Sequence, residues 1–138
     1  MDFIRGEVLY DPNFVYPDAA GQKCDKLLLV VNKNHSSPED LVLIPAKTNI
    51  ENRVFPAGCD ESNRIFYFDK QIGFYREKTI LQLFHIDTYT CSNYEDLIRK
   101  KRVDRLGKST TQEEFARILN CLKKMKEDIS ICIQELIF

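Results

Sequence analysis

Histidine is scarce in this chain. Of 138 residues, only His35 and His85 carry an imidazole. An imidazole titrates near neutrality, which makes His85, in LQLFHID (81–87), the natural candidate for a general base. A lone strand histidine is more often packed or solvated than catalytic, so both readings stand at this stage. His35 lies in the polar turn NHSSPED (34–40) and is expected to be exposed.

A second concentration of chemistry is GQKCDKLLLVVNK (21–33), where an apolar run begins behind Lys23, Cys24, Asp25 and Lys26. Ordinary solvation of a strand mouth accounts for these residues; a site facing that end of the strand is the sharper reading. A lysine so placed holds a phosphate as a point charge. If desolvated, it also titrates low enough to exchange protons. Cys24 has no assured basic partner, so a nucleophilic role is not expected. Just upstream, Phe14 and Tyr16 either stack on unpaired bases, as single-strand binders do, or pin their loop to the core. The run RKKRVDR (99–105) reads first as a solvated face and second as an anion contact.

These groups need a scaffold. EVLY (7–10) reads as a short strand, and DPNFVYPDAAGQ (11–22) as a loop of a dozen residues, because it holds two prolines, two aspartates and a glycine. KLLLVVNK (26–33) is too apolar to be half-exposed and predicts a central strand buried on both faces. LVLIPAKT (41–48) is its hairpin partner, with Pro45 at a bulge or strand end. RVFPAGCDESNR (53–64) is irregular or a short edge strand. RIFYFD (64–69) and TILQLFHID (79–87) are further strands. Five or six closely spaced strands without helical intervals predict a small antiparallel sheet curling towards a barrel.

Helices follow. SNYEDLIRKK (92–101) carries acids early and bases late, and VDRLG (103–107) adds a short strand. STTQEEFARILNCLKKMKEDISICIQELI (109–137) is the clearest element. Phe115, Ile118, Leu119, Leu122, Met125 and Ile129 recur at helical spacing, and Thr110 or Thr111 caps the start with Glu113 or Glu114 in place for a capping box. The last ten residues, ISICIQELIF with its flank, are apolar on more than one face and suit either a dimer interface or a final strand. The expectation is one α+β domain over residues 1–138, mainly β, of SH3-like or plug-barrel type with a C-terminal amphipathic helix.

Bulk composition bounds the function. The formal net charge is −1, with 20 Lys and Arg against 21 Asp and Glu. Residues 1–90 hold 10 bases and 13 acids, a net of −3; residues 91–138 hold 10 and 8, a net of +2. The whole molecule therefore has no strong preference for nucleic acid or membrane. Five cysteines, at 24, 59, 91, 121 and 132, form no C-x-x-C pair, so reduced thiols in a cytoplasmic protein are expected, not a disulfide scaffold or a zinc site. No signal peptide, no membrane span, no Gly-rich phosphate loop and no H-E-x-x-H is present, and no cofactor or metal is expected.

The order GEVLYDPN (6–13), GQKCDKLLLVVN (21–32), LVLIPAKTN (41–49), TILQL (79–83) and STTQEEFARIL (109–119) resembles the MazF/PemK-type toxins of toxin–antitoxin pairs, which share the Kid/CcdB-like fold. The likeness spans most of the chain. It implies a homodimeric, metal-independent endoribonuclease that cuts single-stranded RNA and is neutralised by a cognate antitoxin. Lys26 then falls at the family's catalytic Arg and Thr48 at or beside its catalytic Thr. Lys26 is followed by Leu27 where the family has proline, and Leu81 replaces the acid of an Asp-Gln pair whose glutamine matches Gln82. The implied catalytic set is Lys26 and Thr48, with His85 beside them as the candidate base. Gln22, Lys23, Lys47, Phe14, Tyr16 and Gln82 are the implied RNA contacts. The plainer reading makes Lys26 a strand-mouth cation and Thr48 a strand-end hydroxyl. Two rival functions keep the same barrel: a non-catalytic binding protein, and a gyrase-type poison acting by protein contact.

Overall fold

A computed structural model describes residues 1–17, 21–48, 50, 53 and 55–138. The fold is α+β. Eight antiparallel strands form one sheet: β1 (Glu7–Val15), β2 (Lys23–Val30), β3 (Leu41–Lys47), β4 (Gly58–Asp60), β5 (Ile65–Phe68), β6 (Thr79–Gln82), β7 (Asp87–Tyr89) and β8 (Asp104–Lys108). Their order is β4-β5-β6-β3-β2-β1-β8, with β7 also on β3. Among the described residues β4 and β8 do not pair with each other, so the sheet is open, not a closed barrel. Three helices complete the chain: α1 (Cys91–Arg99), α2 (Gln112–Lys124) and α3 (Ile131–Ile137). No helix of the described residues is long and apolar enough to cross a membrane.

The expected β2–β3 hairpin is present, with Leu27 opposite Ala46 and Val30 opposite Leu43. Alternation along both strands sends their side chains to two cores. Leu29, Val31, Val42, Ile44 and Ala46 face α2 and α3 through Ile118, Leu122, Met125, Ile133 and Ile137. Leu28, Val30, Leu41 and Leu43 face the other way, onto Tyr94 of α1, with Phe3, Leu9 and Val103. This is why LLLVV reads as continuously apolar: each side of the strand has a cover. A third, smaller cluster of Ile50, Ile65, Tyr67 and Ile80, with Phe55 packed on it, lies farther along the sheet. Pro45 sits on β3 between its pairing with β7 at 41–43 and with β6 at 46–47, so its missing N–H falls where the neighbouring strand is interrupted.

Several expectations need correction. The stretch 11–22 is not all loop. β1 runs on to Val15 through a bulge between Asp11 and Phe14, where Asp11 Oδ1 accepts from Asn13 N–H at 3.0 Å and Pro12 needs no ladder donor. TILQLFHID is not one strand: β6 stops at Gln82, and Leu83–His85 form a 3-10 turn before β7. His35 is buried, not exposed. Its Nδ1 accepts from Phe3 N–H at 3.1 Å, which leaves Nε2 to donate to the Glu39 carbonyl at 2.8 Å.

The long C-terminal helix is two. α2 is capped by Thr111 Oγ1, which accepts from Glu114 N–H at 3.1 Å, and it ends at Lys124. After a 3-10 turn at 126–128, Ser130 caps α3 and Gln134 Nε2 donates to the orphaned carbonyls of Lys126 and Ile129. The ISICIQELI stretch is therefore helix, not strand. Lastly, Cys59 of β4 and Cys121 of α2 are joined in a disulfide, against the expectation of reduced thiols; Cys24, Cys91 and Cys132 are free. Their separation of 62 residues carries no sequence signal, and only the packing of β4 on α2 brings them together.

Candidate functional site

Strand register gathers the candidate polar residues. Leu27 opposes Ala46, so Lys26 and Lys47 are the next cross-strand neighbours, and Lys47 in turn opposes Ile80 of β6. Lys26, Lys47, Ile80 and Gln82 thus share one face of the sheet. It is the face not covered by α2, in the gap between the α1 cluster and the smaller Ile50–Ile80 cluster. A polar strip between two apolar patches is a place where side chains are desolvated without being sealed off.

Tyr16, just past the end of β1, roofs this strip. Lys26 Nζ lies 5.6 Å from the centroid of its ring. The Tyr16 hydroxyl donates to Oε1 of the buried Gln82 at 2.5 Å. The same ring meets the His85 imidazole at a centroid distance of 4.5 Å, and His85 also meets Phe84, at 4.5 Å. Four side chains from three segments, Lys26, Tyr16, and Gln82 with His85, therefore converge. The 3-10 turn is what turns His85 towards Tyr16; a continued strand would have placed it by simple alternation with Leu81 and Leu83.

Lys26 is half-buried, and its ammonium is pulled below the ordinary lysine range. Burial is the main cause, with neighbouring Lys47 adding repulsion, while Cys24 and Asp25 act in the opposite direction. Among the described residues no carboxylate lies within salt-bridge distance of it. An ammonium held on an aromatic face, with a second cation beside it and no acid bonded to it, is set up to receive an anion.

The anion has room. A groove of about 510 Å³ opens at this end of the sheet, and Lys26, Lys47, Thr48, Phe74 and Arg76 contribute to its walls. A second hollow of about 260 Å³ adjoins it and shares Lys47; Arg53, Gln82 and Phe84 line it. The groove is bounded by the 71–78 excursion. Tyr16 lies against Lys26 but is not part of the groove wall.

The expected site residues divide as follows. Lys26, Tyr16, Gln82 and His85 are brought together, with Lys47 and Thr48 on the adjoining groove. Gln22 and Lys23 are exposed at the mouth of β2. Phe14 is excluded from base stacking. It is 2% exposed, packed edge-to-face on Tyr16 at 5.1 Å and within the α1 cluster, so of the two loop aromatics one pins the segment and the other roofs the site. Cys24 is half-buried, and its thiol donates to the Phe14 carbonyl at 3.5 Å. The basic run 99–105 is mostly a solvated face: Arg99 and Lys100, themselves exposed, make i,i+4 pairs with Glu95 and Asp96, and Lys101 and Arg102 are exposed, whereas Arg105 is tied to the buried Glu7. Phe74, Arg76, Arg53 and Phe84 were not legible as site residues, because no periodicity links them to β2 and β3; the compact GFYR of 73–76 is the nearest to a signal. Among the described residues no three His, Cys, Asp or Glu side chains gather in a set that could hold a metal ion.

Comparison of the chain with family models, with characterised proteins and with solved structures finds no match. The functional reading therefore rests on the residues and their geometry.

Proposed function

We propose that this chain binds single-stranded RNA across the Lys26–Lys47 end of the sheet and cleaves it as a MazF/PemK-like endoribonuclease. The observation that carries the reading is the half-buried Lys26, stacked on Tyr16 beside Lys47 and without a described carboxylate partner. In the proposed reaction the 2′-oxygen attacks the adjacent phosphorus and its proton passes to a base. The P–O5′ bond breaks, the 5′-oxygen takes a proton from an acid, and a cyclic phosphate remains. Lys26 and Lys47 offset the charge gathering on the phosphoryl oxygens. His85 is the candidate base, Lys26 with its lowered pKa the candidate acid, and Thr48 a hydrogen-bonding partner on the groove. The resemblance further suggests a homodimer, a cytoplasmic setting and a cognate antitoxin, whose acidic segment would compete for the same cations.

A second reading keeps the binding and drops the chemistry. What favours it is that His85 packs against both Tyr16 and Phe84 and the Tyr16 hydroxyl is engaged by Gln82. Incubation of the purified chain with a mixed RNA pool in the presence of chelator separates the two. Cleavage that is lost in Lys26→Ala, Thr48→Ala and His85→Ala supports the enzyme. Binding without any cleavage at high protein concentration removes it and leaves the binding protein. Inhibition of gyrase with neither would point to the rival that acts by protein contact.

A further inference from the structure

Nine phenylalanines occur in the chain, and only Phe74 and Phe84 are exposed, at 43% and 39%. One stands on each of the two adjoining hollows that meet at Lys47. Neither exposure is incidental to a slack loop. Phe74 sits on a tightly built turn: Ile72 and Tyr75 exchange both backbone hydrogen bonds, at 2.8 and 2.9 Å, and Phe74 N–H donates to Ser109 Oγ at 2.9 Å. Gly73 approaches the Ser109 carbonyl so closely that a Cβ would lie 1.7 Å from its oxygen, so only glycine fits there. The next ring, Tyr75, is fully buried and stacks on Phe68 at 5.0 Å. The turn thus anchors one aromatic ring and holds the other out. Phe84 is fixed in the 3-10 turn by its N–H to the Arg64 carbonyl at 3.2 Å, after the buried Leu83.

Charge agrees with this placement. Among the described residues the two hollows together carry Lys26, Lys47, Arg53 and Arg76, against the single acid Asp25, in a chain whose net charge is −1. Exposed aromatic faces on either side of a concentration of cations match a ligand that alternates flat rings with phosphates. A duplex hides its ring faces in the stack and would leave both phenylalanines idle.

We infer that Phe74 and Phe84 are base-stacking platforms for one RNA strand, whose intervening backbone crosses Lys47 with Arg76 on the Phe74 side and Arg53 on the Phe84 side. This rests on the reading of the site as an RNA groove and specifies how the strand lies in it.

The test is fluorescence anisotropy with a short labelled 2′-fluoro oligonucleotide, which lacks the attacking hydroxyl and stays intact. Phe74→Ala and Phe84→Ala should each weaken binding roughly 5- to 100-fold, the loss of one base–aromatic stack. Phe74→Trp should restore it, since an aromatic face is what matters. Against the same backbone with abasic positions, the parent should fall to the level of the alanine variants. The salt dependence should be unchanged in both alanine variants, whereas Lys47→Ala should lower its slope by about 0.7. Both rings are surface-exposed, so unchanged thermal unfolding is expected and checks the fold. Strong oligonucleotide binding that neither alanine variant nor abasic substitution disturbs overturns the stacking inference and leaves RNA binding standing. Failure of the parent to bind any single strand overturns both.

Discussion

Arg105 belongs to the most basic run of the sequence, and its substitution separates a structural role from nucleic-acid contact. Its guanidinium is bidentate on Glu7, with Nε to Oε2 at 3.0 Å and a terminal nitrogen to Oε1 at 2.7 Å. Glu7 Oε1 also accepts from Ile4 N–H at 2.7 Å, and the Glu7 side chain is only 4% exposed. The guanidinium further covers Phe3, 4.6 Å from the ring centroid. Arg105→Ala would leave a carboxylate buried and without its counter-charge. Removing one partner of a buried pair costs about 3–5 kcal/mol. The Arg105 side chain is 32% exposed, and water will screen part of the loss, so the lower end, about 3 kcal/mol, is expected. For a domain of this size that lowers Tm by about 10–15 °C. Urea unfolding of the parent, Arg105→Ala, Glu7→Gln and the double variant measures it, and the double variant should recover part of the loss because no orphaned charge remains. RNA affinity of the folded Arg105→Ala protein should equal the parent's. A destabilisation under about 1 kcal/mol, or a specific loss of RNA binding, would refute the assignment of Arg105 to the fold.

Three further outcomes follow from the same structure. Glu95 is held down to about 2, first by the Cys91 thiol and then by the amino group of Met1 and the Ser37 hydroxyl. A carboxyl whose folded pKa is depressed stabilises the fold above its ordinary value of 4.5 and loses that contribution as pH falls towards 2; Tm should therefore drop more steeply over that window in the parent than in Glu95→Gln, and parallel curves would count against it. The Cys59–Cys121 bond closes a separation of 62 residues, for which chain entropy gives about 4 kcal/mol, so reductant or Cys121→Ser should lower Tm markedly, and indifference to reductant would show that the bond does not form in solution. Tyr16→Phe removes the donor to buried Gln82 and should cost about 1 kcal/mol while sparing RNA affinity, whereas Tyr16→Ala, which also removes the ring beneath Lys26, should weaken both; abolition of cleavage by Tyr16→Phe alone would make the hydroxyl a proton carrier.

The sequence by itself determined the class of fold and the frame of the site. LLLVV could only be a strand covered on both faces, and LVLIPAK after a polar turn could only be its antiparallel partner. The register that puts Lys26 beside Lys47 came with the structure, because a ten-residue connection leaves it open. Local capping was readable as Thr110 or Thr111, of which Thr111 is the cap, whereas the Ser130 cap of α3 was not, because periodicity from Phe115 onward ran straight through it.

Tertiary structure alone decided what occupies the end of the strands. His85 reads as a strand residue until Leu83–His85 close into a 3-10 turn, because local propensity does not register where β3 passes from β6 to β7. Phe14 and Tyr16 have the same composition context, yet Phe14, inside β1, is buried in the α1 cluster, while Tyr16, past the strand end, lies against Lys26. Phe74 and Arg76 reach the groove only because Gly73 packs on Ser109, a contact between segments with no shared pattern. The same holds for the Cys59–Cys121 bond and for Arg105, part of a run read as a solvated face or an anion contact, which the structure seats on Glu7. Periodicity reports which way a side chain faces along its own element; what it meets there depends on the elements packed across from it.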